Sequence, residues 1–255
     1  MAEHRFHTPL PLELSVNIPA GDIAVETVDG EESTIVVDGD ERLVEQVEVS
    51  HDGDRLTVAF RGKRPFGITI AIGDFSFGTR HLKVRARVPH GAAAAIATAS
   101  ADAKLAGRLR ELEVKTASGD VRARGEIEQD ATVRTVSGDV HLDRVGGDLK
   151  AQTVSGDVSV DWIGGSAESK SVSGDLRFSS LSRGEATFTS VSGDVEIGVA
   201  PGSFLDVDAG SVSGDLSSEV PLGSVPDLTG GDGDGPTIVL RGKTVSGDVK
   251  VFRAS

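Results

Sequence analysis

Apolar and polar residues alternate one by one along much of this chain. Leu12, Leu14, Val16 and Ile18 are separated by Glu13, Ser15 and Asn17, and the alternation resumes at Ile23 and Val25 after Pro19-Ala20-Gly21-Asp22. A period of two marks a strand with one buried face, and Gly-Asp or Pro-Ala-Gly breaks mark turns. The same pattern predicts strands around 44–49, 56–60 and 82–88, the last ending at Pro89-His90-Gly91. Between them, Phe66, Ile68, Ile70 and Ile72 alternate up to Gly73-Asp74, and Phe75 and Phe77 continue beyond. Residues 64–81 are therefore predicted as a hairpin with one apolar face. Its Phe66, Ile68, Ile70, Phe75 and Phe77 either cover the N-terminal sheet or form an exposed contact patch for a partner.

Beyond residue 91 the alternation acquires a longer period. Ser-Gly-Asp occurs at Ser118, Ser137, Ser155, Ser173, Ser192, Ser213 and Ser246, with Asp-to-Asp steps of 19, 18, 18, 19, 21 and 33, and Ser100-Ala101-Asp102 is a degenerate copy. A fixed period of this size marks stacked repeats. The unit splits into nine-residue halves such as SGDVHLDRV and GGDLKAQTV, with apolar residues at positions 4, 6 and 9 of each half, as in Val140, Leu142, Val145 and then Leu149, Ala151, Val154. Positions 4 and 6 share a strand face. If position 9 also points inward, each half is a short strand plus a corner. Two halves then make one coil around a narrow core, and neighbouring coils pair in parallel at about 4.8 Å.

The predicted fold is all-β. It is a parallel β-solenoid of about 18-residue coils, with two short strands per coil, preceded by an irregular N-terminal β region that caps it or continues into it. The division is 1–90 for the N-terminal region and 91–255 for the solenoid, with a loop insertion at 218–236. Glycine in the corner is expected to supply unusual backbone angles, and Asp and Ser to bond nearby amides. Thr116, Thr135, Thr153, Ser171, Ser190, Ser211 and Thr244 form a second polar column, expected to bond from coil to coil. The last coil, Val249 to Phe252, is expected to present an open edge, with Lys250 and Arg253 as its guards against end-to-end stacking.

Composition narrows the functional classes. Aromatic residues make only 4% of the chain and glycine is abundant at 32, which suits stacked small β-branched residues better than a bulky core. A net charge of −14 argues against DNA, RNA and anionic lipid surfaces. There is no cysteine, hence no disulfide framework and no thiolate metal site. No apolar run reaches the roughly 18 residues of a spanning helix. No signal segment opens the chain, so it reads as cytoplasmic, with an extracellular or envelope location as the alternative.

Candidate chemistry centres on the stacked aspartates. Asp120, Asp139, Asp157, Asp175 and Asp194 repeat at coil spacing, and their repulsion must be offset by backbone amides or by a ladder of cations such as Ca²⁺. The repeat is nonapeptide-like, as in calcium-binding β-rolls, but Asp follows Gly directly here. Asp232-Gly233-Asp234-Gly235 fails as an EF-hand because Lys243 stands where the bidentate Glu belongs. Gly242-Lys243-Thr244 fails as a phosphate loop because Thr237 replaces the first glycine. The histidines (His4, His7, His51, His81, His90, His141) show no metal-ligand spacing, Trp162 reads as a corner filler, and no catalytic cofactor is implied.

The repeated Val-Ser-Gly-Asp-Val/Leu units, with the strand–Pro-Ala-Gly-Asp–strand opening at 16–25 and its echo at 84–91, resemble the bacterial β-strand-repeat family of unknown function, often labelled a putative adhesin domain. That resemblance covers nearly the whole chain and implies a β-solenoid with cell-envelope or stress-related roles, and no catalytic residues. The expected function is a non-enzymatic scaffold or protein-interaction module, acting on a protein partner or by self-association. The alternatives are an exported adhesin, a self-assembling filament-type scaffold and a polysaccharide-active β-helix.

Overall fold

The structure is a computed structural model that describes residues 1–61, 82–219 and 236–254. The predicted hairpin 64–81, with all five of its proposed contact residues, and most of the 218–236 loop lie outside the described residues. Among the described residues no helix is long and apolar enough to cross a membrane.

Two parallel ladders run the length of the molecule, one on each side of a thin core. In spatial order the first ladder is Arg55–Phe60, the first half of Glu13–Val28, the first half of Ala93–Leu109, Leu112–Lys115, Ala131–Arg134, Leu149–Gln152, Ala167–Lys170, Gly184–Thr189, Thr237–Thr244 and Phe204–Ser211. The second is Leu82–Pro89, the second halves of the same two long strands, Val121–Ile127, Val140–Val145, Val158–Ile163, Leu176–Leu181, Val195–Val199, Val249–Arg253 and Leu216–Ser218. The chain therefore winds as an 18-residue parallel solenoid, as its periodicity predicts. The winding starts well before residue 91, since 13–28 already pairs as a full rung.

The two ends depart from simple winding. At the N-terminal end the first rung, Glu13–Val28, is not outermost. Arg55–Phe60 and Leu82–Pro89 pair on its outer side, and antiparallel strands close that end: Val47–Asp52 on Arg55–Phe60, Glu32–Gly39 on Leu82–Pro89, and Ala2–His7 on Glu32–Gly39. One turn of helix, Glu41–Val44, precedes the strand predicted around 44–49, which begins at Val47; Asp40 caps the turn by accepting the Arg42 N–H at 3.0 Å.

At the other end the C-terminal strand Val249–Arg253 sits between Val195–Val199 and Leu216–Ser218. This corrects the expectation of an open edge at 249–252. Among the described residues, the outermost strands are Phe204–Ser211 and Leu216–Ser218. Ala200 to Ser203 carry the chain past the inserted rung, and Arg253 Nη1 holds that crossing by donating to the carbonyls of Ala200 (3.3 Å) and Ser203 (3.2 Å). Arg253 is thus a latch and not an edge guard. Lys250, one rung in, lies 3.8 Å from Glu219.

Apolarity explains which rung goes inside. Val249 and Val251 are both fully buried, whereas the rung outside them puts Ser218 in register with Val251 and exposes Asp206 and Asp208. Terminal repeats of a stack need such a polar outer side.

The core is built of like residues stacked rung on rung. Val121, Val140, Val158, Leu176, Val195 and Val249 form one column, and Ala123, Leu142, Val160, Phe178, Ile197 and Val251 the next. Volumes compensate where a large residue enters. A Cβ on Gly242 would meet the ring of Phe188 at 2.4 Å, so that ring occupies the space a side chain at 242 would need.

Candidate functional site: the Ser-Gly-Asp corner

The solenoid has two kinds of corner, and only the one at Ser-Gly-Asp repeats its residues strictly. Its geometry starts with the hydroxyl column. Thr135, Thr153 and Ser171 are buried, and each accepts the N–H of the glycine three residues on, at 3.0, 2.9 and 3.0 Å. Thr98 does the same for Ala101 in the degenerate corner, at 3.0 Å. These three hydroxyls, and Thr98, tie their own corners, where the corner amide is nearer than a hydroxyl of the next rung. Thr116, Ser190, Ser211 and Thr244 stand in the same column without a hydrogen-bond partner among the described residues, so the expected bonding from hydroxyl to hydroxyl between rungs does not occur in this column.

Turning the hydroxyl inward turns the next residue outward. The structure here corrects the expectation that position 9 points inward in both halves. Val145 and Ile163, which lead into the Gly-Gly corners, are fully buried. Val136, Val154, Val172, Val191 and Val245, which lead into the Ser-Gly-Asp corners, are 44–50% exposed, and Val212 at the outer rung is 82% exposed.

The glycine also has a different reason from the one expected. Gly119, Gly138, Gly156 and Gly174 do not lie in the left-handed region; only Gly193 (φ 129°) and Gly247 (φ 150°) do. What excludes a side chain is the rung below. A Cβ at Gly138 would meet the carbonyl oxygen of Gly119 at 2.1 Å, one at Gly156 that of Gly138 at 2.1 Å, and one at Gly174 that of Gly156 at 2.2 Å. The glycines form a bare backbone column that lets the rungs close to strand spacing.

The aspartates complete the corner. Asp102 Oδ1 accepts the N–H of Asp120 at 3.0 Å, Asp120 that of Asp139 at 3.2 Å, Asp139 that of Asp157 at 3.1 Å, Asp157 that of Asp175 at 2.9 Å and Asp175 that of Asp194 at 2.8 Å. The series continues through the spatial order of rungs, Asp194 accepting from Asp248 (2.8 Å) and Asp248 from Asp215 (2.9 Å). All five aspartates predicted as a cation ladder thus stand in one column, and each commits one oxygen to the amide of the next rung. Charge-assisted bonds of this kind are stronger than neutral ones and supply a donor for each carboxylate from within the protein. The opposite corner uses the same device briefly, with Asp130 bonded by the Asp148 N–H and Asp148 by the Ser166 N–H, both at 2.8 Å.

Three columns therefore surface along this edge of the solenoid. In the middle runs a ridge of Ala117, Val136, Val154, Val172, Val191, Val245 and Val212. The aspartates flank it on one side. On the other stand Lys115, Arg134, Gln152, Lys170, Thr189, Lys243 and Gly210, the residues two before the ridge. Nothing in the alternation alone distinguished the exposed valines; the inward Thr or Ser just before each is the signal that does.

Charges elsewhere on the first ladder are paired along the stack. Lys150 Nζ and Lys170 Nζ both reach Glu168, each at 2.8 Å, and these two ammonium groups, Lys150 first, hold its carboxyl at about 2 against an ordinary 4.5. A folded-state pKa below the ordinary one contributes stability above the ordinary value and loses it as pH falls toward about 2. Half exposed as the pair is, solvent and salt screen it. A carboxyl NMR titration is expected to place Glu168 near 2 at low salt and to move it upward in Lys150→Ala.

The second ladder's outer face carries His141, Asp143, Asp161 and Trp162, which the sequence spacing did not bring together. Trp162 packs over Gly164 and beneath the Arg144 guanidinium, 4.0 Å from the ring centre. An open hollow of about 230 Å³ beside His141 is lined by Arg122, Asp139, Val140, Asp157 and Ser159.

The fold is thus that of a β-solenoid repeat domain with two parallel ladders, whose Ser-Gly-Asp edge is tied by aspartate–amide bonds. The chain belongs to the Toastrack family DUF4097, whose family model matches residues 12–252. It is similar to a putative adhesin from Parabacteroides distasonis (16% identity, TM-score 0.54) and a putative adhesin from Bacteroides fragilis (12%, 0.53). It is also similar to a putative lipid binding protein from Parabacteroides distasonis (14%, 0.51). In each case the match covers 98% of this chain and 96% of the other. At these identities the likeness is one of fold. No curated protein matches the chain.

Proposed function

We propose that this Toastrack domain is a non-enzymatic interaction scaffold, and that the valine ridge of the Ser-Gly-Asp edge is its contact surface for a protein partner. The observation that carries this reading is a straight line of exposed valines at rung spacing, about 4.8 Å. Ala117 occupies the same position, and its corner keeps both the bare glycine and the aspartate–amide bond. They lie in bends, outside the named strands, so strand propensity does not explain them. An apolar line of this length, rimmed by charge on both sides, is the surface character of a contact site. The hollow beside His141 is open and has no aromatic in its lining, which favours a binding module over a polysaccharide-active site.

The test replaces Val136, Val154, Val172 and Val191 together by Thr, which keeps β-branching and removes the apolar surface. Stability is expected to stay within about 0.5 kcal/mol per site, as for surface changes generally. Capture of partners from the cells that make the protein is expected to fall. Undiminished capture by the folded variant would sink the reading. The adhesin reading uses the same ridge on an exported chain, and fractionation of those cells separates the two.

One observation favours self-association as a second reading. The acidic and basic columns lie on opposite sides of the ridge. A two-fold axis parallel to the solenoid sets the Lys/Arg column of one copy against the Asp column of the other, while an antiparallel arrangement sets like against like. Sedimentation then shows a dimer that weakens as salt rises; a monomer at every concentration and salt excludes it.

A further inference from the structure

We propose that His141, Asp143 and Asp161 form a binding site for a divalent first-row transition metal ion, Zn²⁺ being the natural probe. The site lies on the second ladder's outer face, apart from the ridge, and stands or falls independently of the interaction reading. His141 and Asp143 are two residues apart on Val140–Val145 and share its outward face. Asp161 stands on the adjacent rung, 18 residues beyond Asp143. The three donor atoms all lie within 4.8 Å of one another. His141 Nε2 is 3.4 Å from Asp143 Oδ1 and 3.8 Å from Asp161 Oδ2.

The contacts around the histidine orient its Nε2. Ser159, in register with His141 on the next rung, donates its hydroxyl proton to the Val140 carbonyl at 3.2 Å. Its oxygen also lies 2.9 Å from His141 Nδ1 and fixes the plane of the ring. Nε2 then faces the two carboxylate oxygens. With the ring neutral and its proton on Nδ1, the three atoms offer lone pairs to one point, the arrangement a metal ion takes up. Among the described residues, neither Asp143 nor Asp161 pairs with a lysine or arginine: Arg144 reaches Glu126 at 3.6 Å and Arg122 reaches Asp120 at 3.0 Å.

The surroundings have the form of a supported ligand set. A histidine bonded through its second nitrogen to a neighbouring oxygen is the usual arrangement of a metal-binding imidazole. Asp143 is held by its other oxygen, Oδ2, which accepts the Gly125 N–H at 2.9 Å. Bonds of about 2.0–2.2 Å in a tetrahedral site put ligand atoms roughly 3.3–3.6 Å apart. The His141–Asp143 pair already has that separation, the His141–Asp161 distance is a few tenths of an ångström longer, and the Asp161 side chain is exposed and free to turn toward an ion. One nitrogen and two carboxylate oxygens suit Zn²⁺ and its neighbours better than Ca²⁺, which takes six to eight oxygens. The fourth position faces solvent.

The same three atoms would alternatively form an imidazolium paired with two carboxylates, and calorimetric titration separates the two states. Zn²⁺ titrated into the full chain is expected to show one site that disappears in His141→Ala and in Asp161→Asn. The same site is expected to weaken by about tenfold in Ser159→Ala, where only the supporting bond is lost, and to survive in His4→Ala, which removes the terminal His4/His7 pair. Co²⁺ should give visible absorption bands in wild type that are missing in His141→Ala. All four side chains point away from the core, so far-UV circular dichroism is expected to be unchanged. Should one ligand variant misfold, the other still decides. Identical isotherms in wild type and a folded His141→Ala or Asp161→Asn would overturn the proposal.

Discussion

Gly156→Ala is expected to destabilise the protein by about 3 kcal/mol or more, the upper range for overpacking. The added methyl would sit 2.1 Å from the Gly138 carbonyl oxygen and 2.8 Å from its carbon, and neither atom is the end of a flexible side chain. Relief requires the two rungs to part, and parting them lengthens the Asp157–Asp139 amide bond and the ladder bonds on either side. Two controls isolate the cause. Gly30 has φ 109° and open space around its Cβ position, so alanine there meets only backbone strain, about 1–2 kcal/mol. Gly210, on the outer strand, has neither a left-handed angle nor a neighbour within 4 Å, and its alanine variant is expected to match wild type within about 0.5 kcal/mol. Denaturant unfolding of the three variants reads the order directly. If Gly30→Ala costs more than Gly156→Ala, the close approach of the next rung is not what demands glycine at the corner.

The second large effect concerns the end of the stack. A chain terminated at residue 236 loses the rung that contains Thr237–Thr244 and Val249–Arg253. Because that rung is intercalated, Phe204–Ser211 and Leu216–Ser218 lose every ladder partner they have among the described residues. They cannot simply dock on Gly184–Thr189 and Val195–Val199, since the Ala200–Ser203 crossing is built to span one rung. Hydrogen exchange is expected to show 204–219 becoming unprotected together with the exposed edges of 184–199. Had the rungs stacked in chain order, the same truncation would remove only the last rung and leave 204–219 protected.

The solenoid was legible because its cause is local and repeated. Alternation named the strands, the 18-residue step named the parallel pairing, and the buried columns through Val140 and Leu142 fell where positions 4 and 6 put them. The spatial order of the terminal rungs was not read, because 204–219 and 237–253 both satisfy the register of 184–199. The discriminating residue was nevertheless present: Ser218 stands where every inner rung of that column from 121 onward has an apolar residue. The valine ridge was missed for a reason of parity. Val145 and Val154 look equivalent in nine-residue halves, but a Thr at 153 that turns inward forces the next residue out, whereas Arg144 does not. The metal-ligating triad needed the step of 18 added to the step of two, which joins Asp161 to His141 across a rung. Scanning for ligands within one strand alone does not find it.

The corner therefore separates into a structural part and a presented part. Thr, Gly and Asp close it and tie it to the next rung, and Val is left over at the surface. The most direct test of that separation places a photo-crosslinking amino acid at Val172, in the middle of the ridge, and a second at Thr132, which points outward from the first ladder's flat face. Cross-linking is carried out in the cells that make the protein. Specific adducts, either with one partner or with a second copy of the chain, are predicted from position 172 and not from 132. Equal or absent adducts from the two positions would contradict the account and leave the ridge as a by-product of corner geometry.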